Sequence, residues 1–357
     1  MYSFYLGIDL HRTKTYAVLI DKAGEVIDER QILNAEAIQY LEEYVPKDTF
    51  AVLEATRNWP FMYDLLAKHV VRVELANPKE LKAISAAAVT PALAGGARET
   101  DRIDANVLAQ LARLNYLPTA YAAPKEIRDL RLYVRHREFL IRQRTQCKNR
   151  IHAVLVRYNL ISPTADLFGV SGREWLAQLL DGGRLRPAAI RVIAEHLALI
   201  DQINEHIKAI EQSMELAPGQ KAAVKLLTSI PGVGKTIATI IVAEIGGVER
   251  FHSPKALCNW AGLTPRVRNS GTVIRHGHIS KEGSTFLRGA MTRAAMVASR
   301  SSKRWYLVHE DLLKRCGKKG AKVAVARRLL TVVYHMLTRN EPYQENYGQK
   351  QTAHRGA

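Results

Sequence analysis

Residues 4–33 read FYLGIDLHRTKTYAVLIDKAGEVIDERQIL, and their pattern is the strongest indication of the fold class. Phe4–Leu10 and Thr15–Ile20 are rich in the β-branched and aromatic residues that favour strands. Asp21–Gly24 has the composition of a hairpin turn, and Val26–Leu33 can form a third strand. The sequence therefore predicts three consecutive strands at the start of the chain.

Alternating helix and strand signals follow these strands. Helical spacing over Ala35–Val45 stops at a proline, and a short apolar strand covers Thr49–Leu53. A helix at Trp59–His69 then precedes a strand at Val71–Ala76. The order β-β-β-α-β-α-β is that of α/β ribonuclease H-like domains, in which helices flank a mixed sheet.

Four acidic residues stand where this order would bring them together. Asp9 lies at the end of the first predicted strand, and Glu54 lies at the end of the strand expected beside it. Asp101 and Asp104 are three residues apart on one predicted helix, so both carboxylates point from the same face. Because crowded anions repel one another and oxygen ligands suit Mg²⁺ or Mn²⁺, we predict a catalytic metal site. Two such ions could activate a nucleophile and stabilise the leaving oxygen at a phosphodiester.

The charge is divided unevenly along the chain, whose net charge is +18. Residues 1–104 carry 12 Lys and Arg against 16 Asp and Glu, whereas the remainder carries 40 against 18. So strong an excess indicates a polyanionic partner, because each neutralised phosphate releases a counterion. With no long apolar run, no signal-peptide layout and no paired cysteine motif, we expect a cytoplasmic protein without a membrane partner.

A basic helix is predicted from Pro124 to Arg157, with ten Lys and Arg against three acids. This excess favours nucleic-acid contact over a solvated face, although composition does not separate RNA from DNA. The candidate contacts on this helix are Arg131, Arg135, Arg142 and Lys148. A second long helix has apolar residues at near-heptad spacing from Ile193 to Met214, and this seam could lie within one chain or between subunits.

The C-terminal region reads as helices joined by turn-rich segments. Ser229-Ile-Pro-Gly-Val-Gly-Lys235 lacks the first glycine of a P-loop and follows a predicted helix, which argues against an ATP site. We predict a helix-hairpin-helix in which Gly232, Gly234 and Lys235 approach a DNA phosphate, and a purely structural tight turn is the alternative. The basic segment 266–281 is expected to be an exposed loop against a nucleic-acid backbone.

These motifs resemble those of one family. Gly7-Ile-Asp9, Leu53-Glu-Ala-Thr56 and Thr100-Asp-Arg-Ile-Asp-Ala105 look like the DEDD motifs of the insertion-sequence-110 transposases, which include the eleven-eleven subgroup. The catalytic domain of that family is similar to the RuvC Holliday-junction resolvase. Ser229–Lys235 and Ala261-Gly-Leu-Thr-Pro-Arg266 match it in the C-terminal half. Asn58-Trp59 departs from it, because a Gly-aromatic pair commonly follows the glutamate motif.

The resemblance implies a transposase that acts on donor and target DNA. In the family a serine attacks DNA and becomes covalently joined to it, and Ser270 occupies the matching place, with Ser280 and Ser284 as local competitors. The positive charge that such a nucleophile needs could come from Arg266, Arg268 and Arg275. The resemblance also implies an element-encoded non-coding guide RNA. We expect a homodimer or homotetramer.

The expected organisation has four parts. They are a RuvC-like DEDD domain at 1–120, a basic helical and coiled-coil linker at 121–218, a mainly α serine-bearing domain at 219–340 and a flexible tail at 341–357. Two other functions stay open at this point. One is a metal-dependent nuclease of the junction-resolving kind that uses water, and the other is a non-catalytic nucleic-acid-binding protein.

Overall fold

The computed structural model of the chain describes residues 2–88, 97–270 and 273–345. The chain divides between Ala122 and Ala123 into two compact units. Among the described residues, no helix has the length and apolar character needed to cross a membrane.

A six-stranded sheet with the order β3-β2-β1-β4-β5-β6 forms the centre of the first unit. Its strands are β1 (Phe4–Leu10), β2 (Lys14–Asp21), β3 (Val26–Leu33), β4 (Thr49–Glu54), β5 (Arg72–Ala76) and β6 (Thr119–Ala120). The first three strands pair antiparallel, β4 lies parallel to β1, β5 lies parallel to β4, and β6 closes the edge antiparallel to β5. The predicted order of elements is confirmed, and the mixed sheet is consistent with a ribonuclease H-like domain.

Helices cover both faces of this sheet, because successive strand residues point to opposite sides. The helices are α1 (Ala37–Tyr44), α2 (Trp59–His69), α3 (Pro78–Ala88) and α4 (Ala97–Arg113). Leu6 and Ile8 are buried on the face that α1 and α2 cover, whereas Tyr5 and Val18 are buried with α4. The sequence did not predict α3. Residues 89–96, which the sequence predicts to be loop-like because small residues dominate them, lie outside the described residues.

Two long antiparallel helices begin the second unit. They are α5 (Lys125–Arg157) and α7 (Pro187–Ser213), with α6 (Val170–Asp181) between them in sequence. Ile193 and Ile200 of α7 are buried in one core with Ile151 and Leu155 of α5. These positions of the near-heptad seam are thus covered within one chain, so their burial does not require a second subunit.

The rest of the second unit is mainly helical. Its elements are α8 (Pro218–Leu227), α9 (Lys235–Ile245), α10 (Pro254–Trp260), β7 (Pro265–Ser270), β8 (Val273–Ile279), α11 (Thr285–Ser301) and α12 (Lys303–Arg339). The segment expected to be an irregular loop forms the antiparallel pair β7-β8 instead. The prediction gave weight to the many turn residues of this segment and not to the β-branched Val267, Val273 and Ile274, which favour strands.

Candidate metal centre and serine hairpin

A glycine brings α4 directly against the sheet. A Cβ placed on Gly7 of β1 would lie 1.9 Å from the carbonyl oxygen of Ala105 and 2.7 Å from the amide nitrogen of Ala109. No side chain fits in that space without moving the helix. The close approach brings Asp9, two residues after Gly7, near the part of α4 that carries Asp101 and Asp104.

Three side chains meet at this point. His11 Nε2 lies 3.1 Å from Asp9 Oδ2 and 3.2 Å from Asp101 Oδ2. One ligand atom from each of the three residues lies within 4.8 Å of the others. The Nε2 atom is shielded from solvent, yet it makes no hydrogen bond within the described residues. Both contacts are ion pairs when the ring is protonated, and with a neutral ring the same nitrogen and two carboxylate oxygens form a possible ligand set for a metal ion.

Two amide side chains hold the loop that carries His11. The carbonyl oxygen of His11 accepts hydrogen bonds from Asn34 Nδ2 at 3.0 Å and from Asn58 Nδ2 at 2.8 Å. Thr15 Oγ1 in turn donates to Asn34 Oδ1 at 2.6 Å. Asn58, the departure from the common family motif, therefore links the segment after Glu54 to the segment after Asp9.

The electrostatics of the other acids place them in the same cluster. The pKa of Asp9 is raised to about 6: burial is the largest cause, His11 lowers the pKa, and Asp101, Asp104 and Glu54 raise it. Burial also raises the pKa of Glu54 and of Asp104. Burial is the main cause of these raised pKa values and the neighbouring carboxylates add to it, so a bound cation would favour the ionised forms of these acids.

A divalent metal fits this donor set. Asp9, Asp101 and His11 offer two carboxylate oxygens and one imidazole nitrogen, and Glu54 and Asp104 add negative charge nearby. A divalent cation would remove the repulsion that burial makes costly. The histidine nitrogen is a donor that the four acids alone did not predict.

His11 and Lys82 were not singled out in the sequence. His11 stands two residues beyond Asp9, just past the end of β1, so its position could have signalled a ligand. Lys82 is an exposed residue of α3 whose charge lowers the pKa of Glu54 and of Asp104. No pattern pointed to Lys82, because α3 itself was not predicted.

The glycine-rich turn before α9 has one packed and one open glycine. Gly232 has a φ of +84°, and a Cβ there would lie 2.6 Å from both Ala294 O and Ala298 N of α11. Gly232 therefore meets a packing requirement within the chain. Around a Cβ at Gly234, by contrast, the described residues leave open space, and Lys235 beside it is exposed. A contact between this turn and a DNA phosphate stays a prediction, carried by Gly234 and Lys235.

Exposed lysines of α8 and α9 line a groove of about 960 Å³ next to this turn. They are Lys221, Lys225 and Lys235. Apolar residues such as Val224 and Ile240 form part of the same wall. The exposed Glu211 and Glu215 also line the groove, so its exposed positions carry charges of both signs above a partly apolar wall.

Two of the four residues of α5 that were expected to contact nucleic acid form hydrogen bonds within the protein instead. Arg131 donates to the carbonyl oxygens of Ala243 and Glu244 at the end of α9, at 2.7 and 3.0 Å. Arg135 forms a bidentate pair at 2.8 and 2.9 Å with the carboxylate of Glu244, which is 1% exposed. These contacts account for both arginines without a nucleic-acid partner.

The other two α5 cations lie near aromatic rings. The guanidinium carbon of Arg142 is 5.8 Å from the ring centroid of Phe286, and Lys148 Nζ is 4.5 Å from that of Phe168. Arg142 is exposed and Lys148 is partly exposed. Their contact with nucleic acid stays a prediction.

Ser270 is the last residue of β7 and pairs in the register with Val273 of β8. Arg268 is paired with Arg275, and both occupy positions whose side chains lie outside the description. Arg266, which is exposed, donates from Nη2 to Ser280 O at 3.3 Å.

The two competing serines have local roles or surroundings of their own. Ser284 Oγ accepts a hydrogen bond from Leu287 N at 3.0 Å and so caps α11. Ser280 Oγ is shielded from solvent. A capping hydroxyl and a shielded hydroxyl are each less suited to attack DNA than an accessible one.

Comparison with known proteins gives matches to both units. A family model described as Transposase IS116/IS110/IS902 family matches residues 224–310, and a second model, for transposases of the DEDD IS110 type, matches residues 6–160. The transposase for insertion sequence element IS1111A of Coxiella burnetii is 26% identical over 95% of this chain and 90% of its own length. A probable family 20 transposase of Pseudomonas aeruginosa is 22% identical over 95% of this chain and 98% of its own length.

A shorter match concerns a different kind of DNA rearrangement. The pilin gene-inverting protein of Moraxella bovis is 31% identical over 149 residues, which are 40% of this chain and 45% of that protein.

Proposed function

Because the chain belongs to the IS116/IS110/IS902 family of insertion-sequence transposases, we propose that it joins donor and target DNA through a serine–DNA covalent intermediate assisted by a metal-binding acidic centre. As a transposase, it is an enzyme that cleaves and rejoins DNA strands.

The observation that carries the proposal is the convergence of Asp9, His11 and Asp101 at the end of the sheet. These residues, with Glu54 and Asp104 beside them, would hold Mg²⁺ or Mn²⁺. When bound, such an ion polarises a phosphoryl oxygen and stabilises a leaving oxygen. Asn34 and Asn58 fix the His11 loop and so keep the donors in place.

Ser270 is the proposed nucleophile. Its hydroxyl oxygen would bond to phosphorus as its proton leaves and the bridging phosphorus–oxygen bond breaks, which frees a strand hydroxyl. Attack by the hydroxyl of another strand would reverse these changes, restoring the serine and creating a new junction. Because one phosphodiester replaces another, no external energy source is required.

Two arginines stand close to this serine in the two strands. Arg268 precedes Ser270 by two residues, and the backbone register pairs Arg268 with Arg275. A nucleophilic hydroxyl at Ser270 needs positive charge of this kind to bind and stabilise a phosphate. Ser284 caps α11 and Ser280 Oγ is shielded from solvent, so neither is as good a candidate for the nucleophile as Ser270.

The similarity to a gene-inverting protein favours recombination over simple hydrolysis. Inversion of a DNA segment requires every cut strand to be rejoined, and a covalent intermediate keeps the bond energy needed for rejoining. A nuclease that uses water would release its product without that possibility.

Trapping of the covalent adduct tests the role of the serine. Denatured reaction mixtures of the unaltered enzyme should contain a protein–DNA adduct, and Ser270→Ala should abolish it while DNA binding persists. Ser280→Ala is the matched control and should retain the adduct. Strand cleavage by Ser270→Ala at the normal rate would assign the reaction to water, and a persisting adduct would assign it to another nucleophile.

The family resemblance extends the proposal to the partners. A guide RNA encoded by the same element would pair with donor and target DNA, and the enzyme would act as a homodimer or homotetramer. Purification without nuclease treatment, followed by sequencing of the retained RNA and mass measurement of the particle, tests both. Random host RNA bound to a monomer would contradict them.

A further inference from the structure

The long helix α12 contains a segment without acidic residues. From residue 314 to residue 339 the chain has eight Lys and Arg and no Asp or Glu. Four of these cations stand within six consecutive residues around Gly317, which together we call the cationic bend: Lys314, Arg315, Lys318 and Lys319. No motif recognised in the sequence and no element of the proposed mechanism uses them.

The cationic bend is exposed and poorly neutralised. All four side chains are exposed. Arg315 lies 3.9 Å from Asp311, at the limit of an ion pair, and the three lysines have no acidic partner among the residues that the structure describes. Since the chain supplies almost no counter-charge here, the charge faces solvent or a ligand from outside.

The backbone of the bend depends on glycine. Gly317 interrupts α12 with a φ of +68° and a ψ of 174°. A Cβ on Gly317 would have no described atom within 4 Å, so conformation and not space requires glycine. The break joins the end of one helical segment to the start of the next and gathers cations from both at one exposed point.

Folding alone does not account for this arrangement. Lys318 and Lys319 begin the second helical segment, where the peptide dipoles already give a partial positive charge. They also repel Lys314 and Arg315 across the break. Lys314 and Arg315 end the first segment, where the dipole favours positive charge, so the cost in stability falls on Lys318 and Lys319 and indicates a role in binding for these two.

We propose that the cationic bend binds the phosphate backbone of duplex DNA. The surface is exposed, carries four positive charges within six residues and contains no aromatic side chain, which suits backbone charge better than base recognition. It lies on a different element from the β7-β8 pair that carries Ser270, which we call the serine hairpin, and from the glycine-rich turn before α9. The inference rests on the proposed function only in taking DNA as the partner.

The salt dependence of duplex binding by the full chain tests this surface. The slope of log K against log salt concentration changes by about 0.9 for each phosphate contact. Lys318→Gln/Lys319→Gln should reduce its magnitude by nearly two contacts, or about 1.8. The control Lys208→Gln/Lys255→Gln removes the same charge from two exposed lysines on α7 and α10, and should leave the slope unchanged. Equal slopes in the two double variants would overturn the proposal.

Two further measurements separate geometry and partner. Gly317→Ala keeps the charge but disfavours the bend, so binding should weaken several-fold. Thermal unfolding should show Lys318→Gln/Lys319→Gln to be at least as stable as the unaltered chain, which excludes misfolding as the cause of weak binding. A slope that falls with single-stranded RNA but not with duplex DNA would also overturn the proposal. Ser270→Ala should keep the full slope, so failure of the serine mechanism would not affect this result.

Discussion

His11 changes the chemistry of the proposed metal centre because it adds a nitrogen to a set of oxygens. Mg²⁺ strongly prefers oxygen ligands, whereas imidazole binds later transition metals well and Mn²⁺ stands between them. The distances from His11 Nε2 to Asp9 and Asp101 place this nitrogen among the donors. The identity of the ion therefore depends on a residue outside the four acids.

Substitution of this histidine should change the metal preference. We expect His11→Ala to weaken Mn²⁺ binding by at least about 10-fold and Mg²⁺ binding by less, because only Mn²⁺ gains much from the nitrogen. Titration calorimetry with each metal measures both effects. His252→Ala, at an exposed position of the second unit, is the control. Equal losses for the two metals would show that His11 acts through packing.

Gly7 should be intolerant of even one methyl group. A Cβ there would overlap the backbone of α4, and such overpacking typically costs about 1–3 kcal/mol. Because α4 also carries Asp101 and Asp104, Gly7→Ala should lower metal affinity as well as the free energy of unfolding.

A variant on the opposite face of the sheet separates these two effects. Ala51 of β4 is fully buried in the core that α1 and α2 cover. Ala51→Val should lower the stability but leave the metal affinity of the folded protein unchanged. Urea unfolding and metal titration together test the pair, and unaltered metal binding by Gly7→Ala would contradict the account.

At the scale of elements, α5 shows that a basic helix can use its charges for folding. Arg135 reaches the buried carboxylate of Glu244 on α9, and removing one partner of such a pair leaves a buried charge unpaired. Because the Arg135 side chain is 45% exposed, solvent screens part of this cost. Arg135→Gln should lower the free energy of unfolding by about 2 kcal/mol, whereas Arg142→Gln should lower it by less than about 0.5 kcal/mol.

Urea unfolding monitored by circular dichroism measures this difference. DNA affinity measured on the folded variants supplies the second arm, and Arg142→Gln should be the variant that binds more weakly. If Arg135→Gln kept its stability and lost DNA affinity, the guanidinium would serve nucleic acid and not the protein.

The same elements show what sequence patterns could and could not predict. Strands β1–β5 and the acids Asp9 and Glu54 were predictable, because apolar runs mark strands and their ends mark one edge of the sheet. Composition gives the number of charged residues on a helix but not the direction in which each side chain points. The sequence therefore could not show that Arg131 and Arg135 bond within the protein while Arg142 is exposed. That separation needed α9, which lies more than a hundred residues away.

Glycine posed a similar difficulty. Gly232 and Gly234 form one motif in the sequence, yet one meets the backbone of α11 and the other faces open space. Gly7 was predictable only as part of a motif. When a glycine is required because the backbone of a distant helix packs against it, the residues around it in the sequence give no sign of that contact.

The whole molecule divides its charge between the two units. Residues 1–122 contain 13 Lys and Arg against 16 Asp and Glu, and residues 123–357 contain 39 against 18. The acidic centre belongs to the first unit, and the cationic bend, the lysine-lined groove and the serine hairpin belong to the second. An anionic module cannot by itself attract a polyanion, so we infer that the second unit supplies most of the binding energy for DNA.

Separate expression of the two units tests this division of roles. Residues 1–122 have cores on both faces of their sheet and should fold alone, bind Mn²⁺ and show no measurable DNA binding at about 0.15 M salt. Residues 123–357 should bind DNA with or without divalent metal, because Lys and Arg need no ion to contact phosphate. Filter binding with and without EDTA measures both fragments. Tight DNA binding by residues 1–122 would show that the metal centre, and not the charge of the second unit, recruits the DNA.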